Sequence, residues 1–219
     1  MYKKFLKRLF DLVLSAFGIV VLAVPMLIIA VAIKIDDPGP VFFKQKRVGK
    51  KKNGEITYFM IWKFRSMKMS TPHDTPTHLL ENPDQYITRV GRFIRKTSLD
   101  ELPQIYQVFT SKLSVVGPRP ALWSQEDLIA ERERYGANDI KPGITGWAQI
   151  NGRDELEIDV KARLDGEYTA ALNAGGFQGF AMDVKCFFRT FLSVLRSDGV
   201  VEGGTGEMKK QEKRGNIQK

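Results

Sequence analysis

The stretch Leu12–Ile33, LVLSAFGIVVLAVPMLIIAVAI, contains no charged side chain, and the arrangement of the rest of the chain depends on how it is read. At about 1.5 Å per residue, roughly 22 helical residues reach about 33 Å, enough to match a bilayer's hydrocarbon core. The run is too long for the apolar core of a signal peptide, and no small-x-small cleavage pattern closes it. It is therefore expected to stay attached and to sit in lipid. Cations flank both ends: Lys3, Lys4, Lys7 and Arg8 before it, then Lys34, Lys44, Lys46, Arg47, Lys50, Lys51 and Lys52 after it. That symmetry favours both ends on the cytoplasmic side. Pro25, near the middle, lacks an N–H and frees the carbonyl of Val21, so a break or kink is expected there. A kinked helix that enters and leaves by one face satisfies both observations; the competing arrangement is a kinked single crossing.

Beyond this segment the composition becomes that of a soluble domain. Asp36-Asp37-Pro38-Gly39-Pro40 reads as a turn or linker. Val41-Phe42-Phe43 through Gln45 reads as a short strand running into the basic turn Lys46-Arg47-Val48-Gly49. Ile56–Lys63 reads as a second strand, with Asn53-Gly54 as the hairpin signal between them. Lys63 and Arg65 share a parity, so in an extended segment they project to one side, where they either bind phosphate or form a solvated face. Residues 70–85 are polar and proline-bearing. They read as a loop in which His73 and His78 are solvated, since no Cys or third His accompanies them to make a metal site, or as a lid over substrate.

Arg92, Arg95 and Lys96 gather at helical spacing just before Ser98-Leu99-Asp100-Glu101-Leu102-Pro103. This second stretch sets two adjacent carboxylates at the expected start of a helix, where unpaired N–H groups and a partial positive charge favour an anion. Nucleophilic attack and metal binding are both open to it. So is a purely structural role, because Ser98 with Glu101 fits a capping box. Ile105, Val108 and Phe109 continue as a helix with one buried face. Pro118 and Pro120 fix the backbone around Arg119, which favours bidentate binding of an oxyanion. Ser124 is expected to cap a surface helix that runs through Tyr135 and ends at Gly136. The Gly-rich stretch Pro142–Arg153 is either a backbone-exposing loop or a packed turn. Phe180–Arg196 is basic and amphipathic, suited to a headgroup layer or to a core. Gly203–Lys219 reads as a charged, disordered tail.

The chain has 219 residues, 43% of them hydrophobic, enough for one domain with an appendage. Its net charge of +9, from 34 Lys+Arg against 25 Asp+Glu, implies an acidic partner: a nucleic acid, a phosphorylated small molecule or an anionic membrane. A single cysteine, Cys186, excludes an intrachain disulfide and reads as a buried or interfacial small hydrophobe.

Four motifs in order carry a resemblance. They are Trp62-Lys63-Phe64-Arg65-Ser66-Met67, Ser98-Leu99-Asp100-Glu101-Leu102-Pro103-Gln104, Val116-Gly117-Pro118-Arg119-Pro120, and Lys141–Arg153. Together they resemble the bacterial sugar transferases, the small monotopic polyprenyl-phosphate phosphoglycosyl transferases, over Met1 to about Ser197. The resemblance implies an α+β, mainly helical fold: a re-entrant membrane helix at 1–35, a catalytic domain at 36–197 with interfacial amphipathic helices and a small β-hairpin, and a tail at 198–219. It implies transfer of a sugar phosphate from a UDP-sugar to undecaprenyl phosphate, with release of UMP, as the first membrane step of capsule, exopolysaccharide or glycoprotein assembly. By the same resemblance Asp100 is the nucleophile and a Mg²⁺ contact, Glu101 assists, and Lys63, Arg65, Arg95 and Arg119 face phosphate. It also places the protein on the cytoplasmic face of the bacterial inner membrane, beside downstream glycosyltransferases and without nucleic acid. Asp165 and Tyr168 resemble a family Asp-x-x-Tyr element and otherwise read as surface residues. The family's usual Ser-Pro at the helix break is Val24-Pro25 here. Two rival functions are a Mg²⁺-dependent UDP-sugar hydrolase and a membrane-tethered nucleic-acid-binding module.

Overall fold

Helix α1 runs unbroken from Lys7 to Asp36, and the rest of the chain packs along one side of it. The computed structural model describes residues 2–71, 83–152 and 156–195. The expected loop around His73 and His78, Arg153 and the tail from Gly203 therefore lie outside the described residues. After α1 come β1 (Phe42–Val48), β2 (Tyr58–Phe64), α2 (Arg89–Lys96), α3 (Gln104–Phe109) and β3 (Ser114–Val116). Then follow α4 (Glu126–Glu133), β4 (Gly143–Thr145), α5 (Trp147–Ile150), α6 (Ile158–Ala174) and α7 (Gly176–Leu195).

The buried residues of α1 are Lys7, Asp11, Ser15, Met26, Ile29 and Ile33. Their spacing of three and four makes one stripe along the helix. Gly18 lies in the middle of it, where an added Cβ would sit 3.1 Å from Ile105 Cδ1, so α1 and α3 approach closely. Met26, Ile29 and Ile33 join Phe64 and Ile94 in a core cluster, each contributing roughly 1.5–3 kcal/mol by burial. The opposite face is apolar and exposed at Phe17, Val20, Val24, Leu27, Ile28 and Val31. Pro25 lies within the continuous helix on that exposed side, so the expected break does not interrupt it. Val24 is exposed as well, and the packing around the proline comes from its neighbours Leu22 and Met26.

The cations ahead of the apolar run are structural ties as well as flanking charges. Lys7 Nζ donates to Asp183 at 2.7 Å and to the carbonyl of Val116 at 2.9 Å. Arg8 donates to the carbonyls of Val108 and Phe109, both at 2.7 Å, at the C-terminus of α3, where a positive charge is favoured. Asp11 accepts from Ser114 Oγ at 3.0 Å and from the Val115 N–H at 2.9 Å. At the other end Asp36 accepts from the Val90 N–H at 2.8 Å, and Asp37 accepts from Arg65 and from the Met69 N–H. Both ends of α1 are thus bonded to the same globular body.

β1 and β2 form the expected antiparallel hairpin, in register from Phe42↔Phe64 to Val48↔Tyr58. Its tip is Asn53-Gly54, with φ of 52° and 85°, the left-handed pair of a type I′ turn. Lys46 and Arg47 lie within β1 itself and do not form the expected turn. A second, unforeseen sheet pairs β3 with β4 in parallel, Ser114↔Gly143 and Val116↔Thr145. Asp165 and Tyr168 are interior ties, correcting their surface reading. Asp165 pairs with Arg132 of α4 at 2.6 Å, while the Tyr168 hydroxyl donates to Asp183 at 2.7 Å and to the Val116 carbonyl at 3.1 Å. Ser124 does not cap α4, which starts at Glu126 after Gln125 without a side-chain cap. α7 combines both readings offered for it: Asp183 and Cys186 face the core, while Phe187, Phe188, Phe191 and Leu192 are exposed.

Candidate active site

The turn that carries the two carboxylates is built differently from a capped helix start. Ser98 sits in the left-handed region (φ 57°, ψ 17°), makes no side-chain cap bond, and is followed by a single 3₁₀ turn, Leu99–Glu101. The capping box therefore does not form, and Ser98 acts through its backbone. For a non-glycine residue that conformation costs about 1 kcal/mol, offset by what it positions. The reversal directs Leu99 and Leu102 into the cluster formed by Met26, Ile29, Ile33, Phe64 and Ile94. Asp100 and Glu101 are left facing the cations. Pro103, fully buried, precedes α3, where its missing N–H costs no helical bond.

Three elements supply those cations. From β2, Lys63 Nζ donates to Glu101 Oε1 at 2.7 Å and stands 3.7 Å from Asp100 Oδ2. From the segment after β3, Arg119 Nη2 donates to the same Glu101 oxygen at 3.0 Å. From the last turn of α2, half-buried Arg95 acts electrostatically on Asp100. The structure thus brings Asp100, Glu101, Lys63, Arg95 and Arg119 together. Arg65 does not join them: it is buried, its Nε donates to the Pro40 carbonyl at 2.7 Å, and its other nitrogens bind the carboxylate and carbonyl of Asp37. It closes the linker after α1, apart from the cluster around Asp100.

Each cation is held by a device of its own. Lys63 is placed by Gln107, whose side chain accepts from the Trp62 N–H at 2.9 Å and donates to the Met60 carbonyl at 2.7 Å, docking α3 onto β2. The only hint in sequence was a glutamine beside the buried Val108. Arg95 rides on α2, whose N-terminus is capped by Thr88 and bonded to Asp36. Arg119 lies between buried Pro118 and Pro120 and is braced by the glycines of the β3–β4 sheet. The Gly117 N–H donates to the Thr145 carbonyl at 2.7 Å and the Gly143 N–H to the Pro118 carbonyl at 2.9 Å. The described part of the Gly-rich stretch is therefore packed, as strand β4 and the short helix α5, where a loop or a turn was expected. A Cβ on Gly143 would lie 2.1 Å from the Gly117 nitrogen, a backbone collision. Gly143→Ala is expected to destabilise the fold by about 3 kcal/mol or more and to remove activity by displacing Arg119. A thermal melt and a turnover assay on the same preparation check this.

The adjacent carboxylates are driven apart in proton affinity. Burial raises Asp100 and Glu101 adds to the rise, while Lys63, Arg95 and Arg119 pull it back only in part, which leaves it at about 6. Burial would also raise Glu101, but Arg119 and Lys63 outweigh it and hold the group well below the usual carboxylate range. Such a separation assigns different tasks to neighbouring acids. Asp100 is the more basic carboxylate, and Glu101 is the anion that aligns Lys63 and Arg119. The arrangement suits attack on a phosphoryl group, whose equatorial oxygens three cations can neutralise.

Among the described residues no three His, Cys, Asp or Glu side chains gather as a cation cage. With Glu101 committed to Lys63 and Arg119, Asp100 is the donor that remains in the site among the described residues. That donor fits Mg²⁺ only as an ion shared with a bound diphosphate, since Mg²⁺ commonly takes one or two carboxylates together with substrate phosphates.

The chain matches the family described as bacterial sugar transferase over residues 2–197. It is 40% identical over 178 residues to the UDP-glucose:undecaprenyl-phosphate glucose-1-phosphate transferase of Escherichia coli (strain K12), covering 75% of this chain and 36% of that protein. It is 39% identical over 196 residues to the sugar transferase EpsL of Bacillus subtilis (strain 168), covering 89% of this chain and 90% of that protein. To the undecaprenyl-phosphate galactose phosphotransferase of Salmonella typhimurium it is 36% identical over 216 residues, covering 90% of this chain and 42% of that protein. The chain thus spans well under half of two of these relatives and nearly all of the third.

Proposed function

The chain belongs to the bacterial sugar transferase family, and on that premise we propose that it moves a sugar phosphate from a UDP-sugar to undecaprenyl phosphate through a covalent intermediate on Asp100. The observation that carries the reading is the split pair, a basic Asp100 beside a Glu101 neutralised by Lys63 and Arg119. In the first step an Asp100 carboxylate oxygen attacks the sugar-bearing phosphorus. The P–O bond to UMP breaks, and UMP leaves with the bonding pair. In the second step an oxygen of undecaprenyl phosphate attacks the same phosphorus, and the Asp100 carboxylate departs with its electrons. The anomeric bond is untouched throughout.

Substrate phosphates compete with Glu101 for Lys63 and Arg119. As those cations turn to the substrate, Glu101 loses what keeps its proton affinity low, and it becomes a better base for the incoming lipid phosphate. Arg95 neutralises charge beside the reacting phosphorus. Asp100 would help to hold Mg²⁺, which would supply further charge neutralisation.

The membrane placement belongs to the same proposal. α1 is long and apolar enough to cross a bilayer, yet both of its ends are bonded to one body. That arrangement supports a helix buried in one leaflet with the body on the cytoplasmic face of the inner membrane. UMP release is the direct test. With matched UDP-sugar, multiple turnovers are expected only when undecaprenyl phosphate is present. Equal rates without it would convert the reading to hydrolysis.

A further inference from the structure

We propose that the outer face of the β1–β2 hairpin is a second membrane contact, an aromatic and lysine ladder that takes anionic phospholipid headgroups. The inference rests on the reading that α1 lies in lipid. Residues directly opposite in an antiparallel pair share a face, and Phe42↔Phe64, Lys44↔Trp62, Lys46↔Met60 and Val48↔Tyr58 are such pairs. Phe42 stacks on Phe64 with centroids 5.6 Å apart and lies 6.2 Å from Trp62. Lys44 Nζ stands 5.4 Å from the Trp62 ring centroid, and Lys46 Nζ stands 4.6 Å from Tyr58 and 5.3 Å from Trp123. These side chains stay open to solvent: Phe42 is 44% exposed, Tyr58 48%, Met60 44% and Trp123 54%. Trp62 and Lys63 are consecutive and so point to opposite faces. Since Lys63 binds Glu101, the ladder is on the other side of the hairpin from the dyad and is separate from the phosphate site.

Two observations choose the occupant. Residues 42–64 carry seven Lys and Arg against Glu55 as the single acid, which selects an anionic partner. The ladder is also continuous with the proposed lipid-facing helix. Phe64 under Phe42 belongs to the cluster with Met26, Ile29 and Ile33 of α1, and Leu27, Ile28, Val31 and Ile35 of that same helix end are exposed. Rings with a wet edge and lysines whose stems lie along apolar surface are the groups that settle at a bilayer's polar boundary. Each lysine near an anionic leaflet adds attraction, and that attraction is screened by salt.

The chain has three tryptophans. Trp147→Phe leaves Trp62 and Trp123, both on the ladder, as reporters. This variant of the full chain is incorporated into phosphatidylcholine vesicles with and without phosphatidylglycerol, using chains brominated near the glycerol or left unbrominated. The ratio of emission between the two chain types is read together with flotation. The expected result is strong quenching in the phosphatidylglycerol vesicles. Most of it should be lost in Lys44→Glu/Lys46→Glu and in about 1 M KCl without mutation, while flotation and UMP release stay unchanged. Flotation with emission indifferent to bromine overturns the ladder as a lipid contact and leaves the α1 reading standing; the face then belongs to a protein partner. A chain that does not float overturns both.

Discussion

Asp100→Asn is expected to abolish turnover, by roughly 10⁴–10⁶, and to leave no phosphosugar on the protein after incubation with UDP-sugar. The amide keeps the size and most of the hydrogen bonding of the carboxylate but has no anionic oxygen to give to phosphorus. Lys63, Arg95 and Arg119 remain, so substrate still binds, and the loss falls on the chemical step. Intact mass after exposure to UDP-sugar, acceptor withheld, separates the cases: an adduct surviving in the asparagine variant refutes Asp100 as nucleophile. In the unaltered protein, activity falls as pH drops through about 6, where Asp100 takes its proton.

The same substitution has a stability consequence of opposite sign. Asp100 holds its proton more tightly in the folded state, up to about 6 against an ordinary 3.8. Folding therefore loses stability as pH rises between those values and bears the full cost above them. That cost is up to about 3 kcal/mol at neutral pH. Asp100→Asn relieves it, so the inactive variant melts higher than the parent at pH 7, and the difference closes below about pH 4. A catalytic group kept against the interest of the fold is the usual mark of a functional site.

What could be read from sequence divides by the range of the interaction. The apolar run, the Asn53-Gly54 hairpin and the amphipathic character of α7 are local patterns, and the structure carries them. The dyad, Lys63 and Arg119 were legible through the ordered motifs, and Arg95 through its helical spacing just before the dyad, because each of these signals is short and local. The readings that failed needed partners distant in sequence. Arg65 and Lys63 have the same parity, but Asp37, 28 residues away, captures the guanidinium. Ser98 and Glu101 have capping-box spacing, but the burial of Leu99 and Leu102 against α1 sets the turn. The parallel β3–β4 pair has no period to detect, since each strand is three residues long. Lys7 read as a flanking charge because Asp183, its buried partner, is 176 residues away.

Glu101→Gln separates the two half-reactions. The glutamine carbonyl can still accept from Lys63 or Arg119, so the cations stay near the dyad and Asp100 remains able to attack. The variant is expected to release UMP in a burst stoichiometric with enzyme and to accumulate the phosphosugar adduct. Steady turnover then falls by about 10²–10⁴, because the group that serves the lipid acceptor has lost its basicity. The pH profile carries an independent signature. Removing the Glu101 charge takes a like-charged neighbour from Asp100 and leaves it facing Lys63 and Arg119 uncompensated, so its proton affinity drops. The acid limb of burst formation should move below the parent's value of about 6. Stability moves the other way from that of Asp100→Asn. Glu101's depressed folded value contributes stability that is present above its ordinary 4.5 and lost as pH falls; the glutamine forfeits it at neutral pH, about 2 kcal/mol for charged hydrogen bonds reduced to neutral ones. A burst missing from Glu101→Gln, in a protein that melts only slightly lower than the parent, would assign Glu101 to the first step. The division of labour proposed for the dyad would then be wrong.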